Sequence, residues 1–122
     1  AALPAFAHHA FSAEFDATKP VRLEGKINRM EWINPHSWLH VDVSNDDGSV
    51  DTWMVEAGPA GVLVRRGWRK DSIVSGTDVI VEGYQARDGS MRANGRDVTL
   101  PNGERLFAGS TGPGAPPEAG EQ

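Results

Sequence analysis

An all-β fold class is predicted by three features of the sequence: short runs of alternating apolar and polar residues, Gly- and Asp-rich turns between them, and one short helix-like stretch near the middle. The alternation is the side-chain period of a half-buried strand, and turns of that chemistry join antiparallel strands. Five to six strands result, with the helix between strands 3 and 4. That element order is a small Greek-key barrel of the OB-fold kind. A β-sandwich needs about seven strands and leaves the single helix unexplained.

The first strand, Val21 to Ile27, alternates around Gly25, so a bend or bulge is expected near Gly25 or Asn28. Ser37 to Val43 alternates more cleanly, with Leu39, Val41 and Val43 on one face and Trp38, His40 and Asp42 on the other. Asn45-Asp46-Asp47-Gly48 is hairpin chemistry, and it returns Asp51 to Glu56 as the third strand. Gly58-Pro59 ends that strand. Ala60 to Arg66, followed by Gly67, reads as a short helix with Pro59 near its first turn and a glycine cap. Asp78 to Tyr84 is the fourth strand, Arg96 to Leu100 the fifth, and Glu104 to Phe107 a short sixth after the Pro101-Asn102-Gly103 turn.

The chain has 122 residues, 39% of them hydrophobic, which suffices for one compact core and excludes a two-domain enzyme. It carries 12 Lys+Arg, 17 Asp+Glu and no cysteine, for a formal charge of −5. Without cysteine there is no Fe–S cluster, thiolate zinc or thiol nucleophile, so a bound metal must take nitrogen and oxygen donors. The negative charge disfavours nucleic acid, whose phosphates need a positive field. No stretch reaches the roughly 18 consecutive apolar residues of a membrane span.

Ala1 to Ala7 is apolar, with Ala5 and Ala7 in the A-x-A spacing of a signal-peptidase site, so residues 1–7 are expected to be a signal-peptide remnant and His8 the first mature residue. A short Ala-rich N-terminus with no processing is the plainer alternative. Residues 8–20 are then an arm, 21–108 the barrel, and 109–122, made of Gly, Pro, Ala, Ser, Thr and acidic residues, a disordered tail.

Four histidines are the remaining nitrogen donors. A cleaved His8 offers its α-amino group and its imidazole to one ion, and an imidazole from His9 or His36 completes a tetragonal nitrogen set suited to Cu(II). On a regular strand His36 and His40 stand about 13 Å apart and cannot share an ion. The turn residue His36, aimed by Pro35, is therefore set ahead of His40. Taken singly, His36 has a plain reading as a hydrogen-bonding residue of a proline turn, and His40 as a solvated residue of a polar strand face. Trp38, opposite Leu39 and Val41, is a candidate platform for a ring or sugar. Arg65, Arg66, Arg69 and Lys70 surround Trp68, a patch that suits an acidic partner surface better than nucleic acid. No nucleophile elbow, phosphate loop or carboxylate pair of catalytic spacing occurs.

Four segments together resemble a family of small exported bacterial proteins of unknown function: His8 to Asp16, Glu31 to Trp38 with its Trp-x-Asn-Pro-His-x-Trp pattern, Arg65-Arg66-Gly67-Trp68, and Gly83 to Gly89. The resemblance covers nearly all of residues 7–109. It implies a signal peptide ending just before the His-His pair and a periplasmic or secreted location. It supplies no activity, and His40 is outside its signature.

The functional expectation is an exported carrier or accessory protein that binds a metal ion, copper by the preference of nitrogen donors, through His8, His9 and His36. A metal-free periplasmic interaction or ligand-binding module, or a subunit of a larger complex, uses the Trp38 face or the Arg65 to Lys70 patch instead. A mono-copper redox enzyme is the third alternative.

Overall fold

Val21, Leu23 and Ile27 give β1 (Phe15–Glu31) its apolar side, and β1 is the longest strand of the structure. The computed structural model describes residues 13–109, so the predicted remnant, His8, His9 and the tail from residue 110 lie outside the described residues. β1 begins six positions before Val21, where the barrel was expected to start. Phe15 pairs with Ala86 and Pro20 with Tyr84 across an irregular stretch, which places residues 15–20 in the sheet rather than in an arm.

The remaining elements are β2 (Ser37–Ser44), β3 (Val50–Ala57), α1 (Ala60–Arg65), β4 (Asp78–Ala86), β5 (Arg92–Thr99) and β6 (Arg105–Phe107). The all-β class, the strand number and the helix between the third and fourth strands agree with the sequence reading. The sheet order is β3-β2-β1-β4-β5-β6 with antiparallel neighbours, and a parallel pairing of β3 with β5 brings the strands into a barrel-like ring. β5 starts at Arg92 instead of Arg96. Asn94 and Gly95 are poor strand formers, but pairing to β3 on one side and β4 on the other overrides that preference.

The expected irregularity in β1 is present at Asn28, and Gly25 is instead a point of close approach. Register slips between Ile27 and Arg29 against β2. At Gly25 a Cβ would stand 2.2 Å from the Asp42 carbonyl oxygen, so only glycine lets the two backbones approach there.

Inside the ring, Leu39, Val41, Val55, Val81 and Val98 are fully buried, and α1 contributes Leu63 to the same core. The helix ends in a Schellman motif. Trp68 N–H donates to Leu63 O at 3.0 Å and Gly67 N–H to Val64 O at 3.1 Å, with Gly67 at φ +100°. That cap carries Trp68 into the core, where it is 1% exposed, meets Trp32 edge to face at 6.2 Å and donates from Nε1 to Phe107 O at 3.1 Å. Among the described residues no helix is long and apolar enough to cross a membrane.

Candidate functional site

The segment carrying His36 is pinned at both ends to the junction between β3 and α1. Ser37 N–H donates to Gly58 O at 3.1 Å, Ala60 N–H to Ile33 O at 3.4 Å, and Ser37 Oγ back to Ile33 O at 3.2 Å. His36 thus enters β2 beside the end of β3. Strand alternation does the rest: Leu39 and Val55 pair and point inward, so Trp38 and its partner Glu56 share the other face. Asn94 of β5 pairs with Glu56 in turn, which sets Trp38, Glu56 and Asn94 in one row across three strands.

Glu56 is the centre of this group. Its side chain is 14% exposed, its Oε1 lies 3.8 Å from His36 Nδ1, and Asn94 Nδ2 donates to the same oxygen at 3.4 Å. Burial raises the Glu56 carboxyl above its ordinary value; the nearby Glu14 charge adds to the rise, while His36, the Asn94 hydrogen bond and Arg92 act against it. His36 Nδ1 is shut off from solvent and has no hydrogen-bond partner among the described residues. Arg92 closes the group. Its Nη2 lies 3.5 Å from Glu14 Oε2, and its guanidinium stands 5.7 Å from the Phe15 ring centroid and 5.9 Å from that of Trp38. Glu14 and Phe15 are at the beginning of the described chain, so its N-terminal end is held against this face.

The other predicted residues fall elsewhere. His40 is buried, not solvated, and its Nε2–H donates to Glu31 Oε1 at 2.6 Å, a bond that draws the Glu31 carboxyl below its ordinary value. Its ring is committed to the β1–β2 pair. Trp38 is half-buried with Arg92 over its ring, not an open platform. Trp68 is corrected from a surface residue to the largest fully buried side chain. Of the cations around it, Arg66 donates to Gly109 O and stands 4.5 Å over the Phe107 ring, Arg69 pairs with Asp71 at 3.2 Å, Lys70 lies 5.7 Å from the Trp32 ring centroid, and Arg65 is exposed. The aromatic centre that made this a partner surface is absent from the exterior.

Glu56, Asn94 and Arg92 were not singled out by sequence reading: Glu56 reaches His36 through the β2–β3 hairpin, as the residue across from Trp38, whereas Asn94 and Arg92 arrive through the non-local parallel pairing of β3 with β5. Among the described residues no three His, Cys, Asp or Glu side chains are grouped as a metal site. His36 and Glu56 supply one nitrogen and one oxygen, and the other predicted donors, His8 and His9, precede the described residues.

No curated protein and no solved structure matches the chain. The model of a family of unknown function (DUF6152) matches residues 1–95, from the N-terminus through most of the ring, and the chain belongs to that family.

Proposed function

We propose that this protein is an exported metal-binding carrier or accessory protein for copper, with His8, His9 and His36 as its nitrogen donors. The observation that carries the reading is the position of His36. Its Nδ1 is shielded and has no hydrogen-bond partner among the described residues, on the face where Glu14 meets Arg92. An orphaned polar atom in a folded protein calls for a partner, and an ion is one of the few that fit. His9 lies five residues before Glu14, so the covalent chain allows its Cα to lie anywhere within about 18 Å of that of Glu14. Imidazole donors with an α-amino group favour Cu(II), which also stands highest in the general affinity order of divalent ions. The Ala5-Phe6-Ala7 spacing before His8 supports export and a free amino group on His8.

Titration with Cu(II) and Zn(II) tests this on the 122-residue chain and on a chain beginning at His8. The expected result is saturable one-to-one Cu(II) binding, tighter than Zn(II), and stronger when His8 is the first residue. Equal affinity in the two chains contradicts the role of the His8 amino group, and no saturable binding contradicts the metal reading.

A further inference from the structure

We infer that the cleft on the outer face of the ring, between Asp42 and Asp78, is a binding site for a small organic cation with an apolar body, such as a primary alkylamine. It is separate from the proposed copper site: His36 precedes the first residue of β2, whereas Asp42 stands about 20 Å further along that strand.

The first argument is shape. The cleft has a volume of about 720 Å³, within the range of small-molecule sites, and side chains of all five longer strands line it. Asp42, Lys26 and Asp78 stand opposite one another across β2, β1 and β4, and Glu24, Ile80 and Thr99 do the same across β1, β4 and β5. Ile27, Val41 and Val81 alternate with these residues and turn into the core, so the two rows belong to the outer face. Val50 adds an apolar wall that is 56% exposed.

The second argument is charge. The lining carries three carboxylates, Glu24, Asp42 and Asp78, against one amine, Lys26. Lys26 Nζ shows what these carboxylates accept, since it donates to Asp78 Oδ1 at 2.7 Å. Arg22 meets Glu24. Asp42 differs from both. Its hydrogen bonds come from the neutral donors Thr52 Oγ1 and Asn28 Nδ2, which lower its carboxyl below the ordinary value and keep it charged, and it forms no ion pair among the described residues. A half-buried carboxylate held in its charged form attracts a cation.

The third argument is the kind of cation. Among the described residues no three His, Asp or Glu side chains are grouped closely enough to hold a metal ion. The charge must therefore arrive on a body with volume of its own. An ammonium group at Asp42 and a hydrocarbon chain along Val50 and Ile80 satisfy the carboxylate and the apolar wall together.

The test is nuclear magnetic resonance titration of the nitrogen-15-labelled full chain with hexylammonium, and with hexanol and hexanoate as chain-matched neutral and anionic probes, no metal being added. Hexylammonium is expected to shift the amides of the cleft saturably and to bind more tightly than hexanol, with hexanoate the weakest. No saturable shift, shifts centred away from the cleft, or equal affinity for the three probes overturns the inference. Asp42→Asn is expected to weaken hexylammonium by about two- to fivefold, the range of an ion pair open to solvent, and to leave hexanol unchanged. Lys26→Met removes an exposed competing amine and is expected to tighten hexylammonium. Unchanged hexylammonium affinity in both variants overturns recognition by these carboxylates. Since Cu(II) takes no part, failure here leaves the copper reading standing, and failure of that reading leaves this one.

Discussion

Nδ1 of His36 faces Oε1 of Glu56 across 3.8 Å with no hydrogen bond between them, whereas four residues later Nε2 of His40 is bonded to Oε1 of Glu31 at 2.6 Å. Two histidines of one short segment therefore have different work. One is satisfied by its own sheet, and the other has no hydrogen-bond partner for Nδ1 among the described residues.

His40→Ala is accordingly a stability variant. It removes a largely buried ring and leaves the Glu31 carboxylate without that donor, for an expected loss of about 1–3 kcal/mol. Thermal melting should fall by several degrees while Cu(II) affinity stays within about twofold of wild type. A large loss of affinity with melting unchanged contradicts this division of roles.

Acid should weaken the fold partly through Asp42. Thr52 Oγ1 donates to it at 2.6 Å and Asn28 Nδ2 at 3.1 Å, and these bonds lower its carboxyl below the ordinary 3.8. A carboxyl whose folded pKa is below its unfolded one adds stability that is present above the unfolded value and disappears as pH falls through the folded one. Thr52→Val should move the Asp42 pKa upward in a carbon-13 titration. An unmoved pKa contradicts the assignment of cause.

The strands that alternate cleanly were legible: Leu39 and Val41 point into the core as their spacing requires, and the helix with its Gly67 cap falls where Pro59 and Gly67 bracket it. The burial of Trp68 was also encoded, since a Schellman cap brings the residue after its glycine against the third-last helical residue, here Leu63. The cations on either side of Trp68 masked that signal. What local pattern does not contain is the partner strand. Glu56 stands beside His36 through the β2–β3 hairpin that the turn chemistry encoded, whereas Asn94, 38 residues from Glu56, meets it only because β3 and β5 pair in parallel.

Gly25→Ala tests the close crossing of β1 and β2. Its Cβ would sit 2.2 Å from a backbone oxygen, which cannot rotate away, so the strands must separate. The expected destabilisation is about 1–3 kcal/mol, read by chemical denaturation. Unchanged stability contradicts the close approach.

Trp68→Ala distinguishes a core residue from a partner surface. Loss of the buried indole should cost about 3–5 kcal/mol. Trp68→Phe keeps most of the volume but forfeits the bond to Phe107 O, about 1 kcal/mol. Wild-type melting of the alanine variant contradicts the buried position.

The proposed copper site is tested most directly by Cu(II) titration of wild type and His36→Ala, with melting curves of both to establish that each is folded. The expected result is one-to-one binding by wild type and a loss of at least about tenfold in the folded variant. Equal affinity in the two proteins contradicts His36 as a ligand and, with it, the site as drawn.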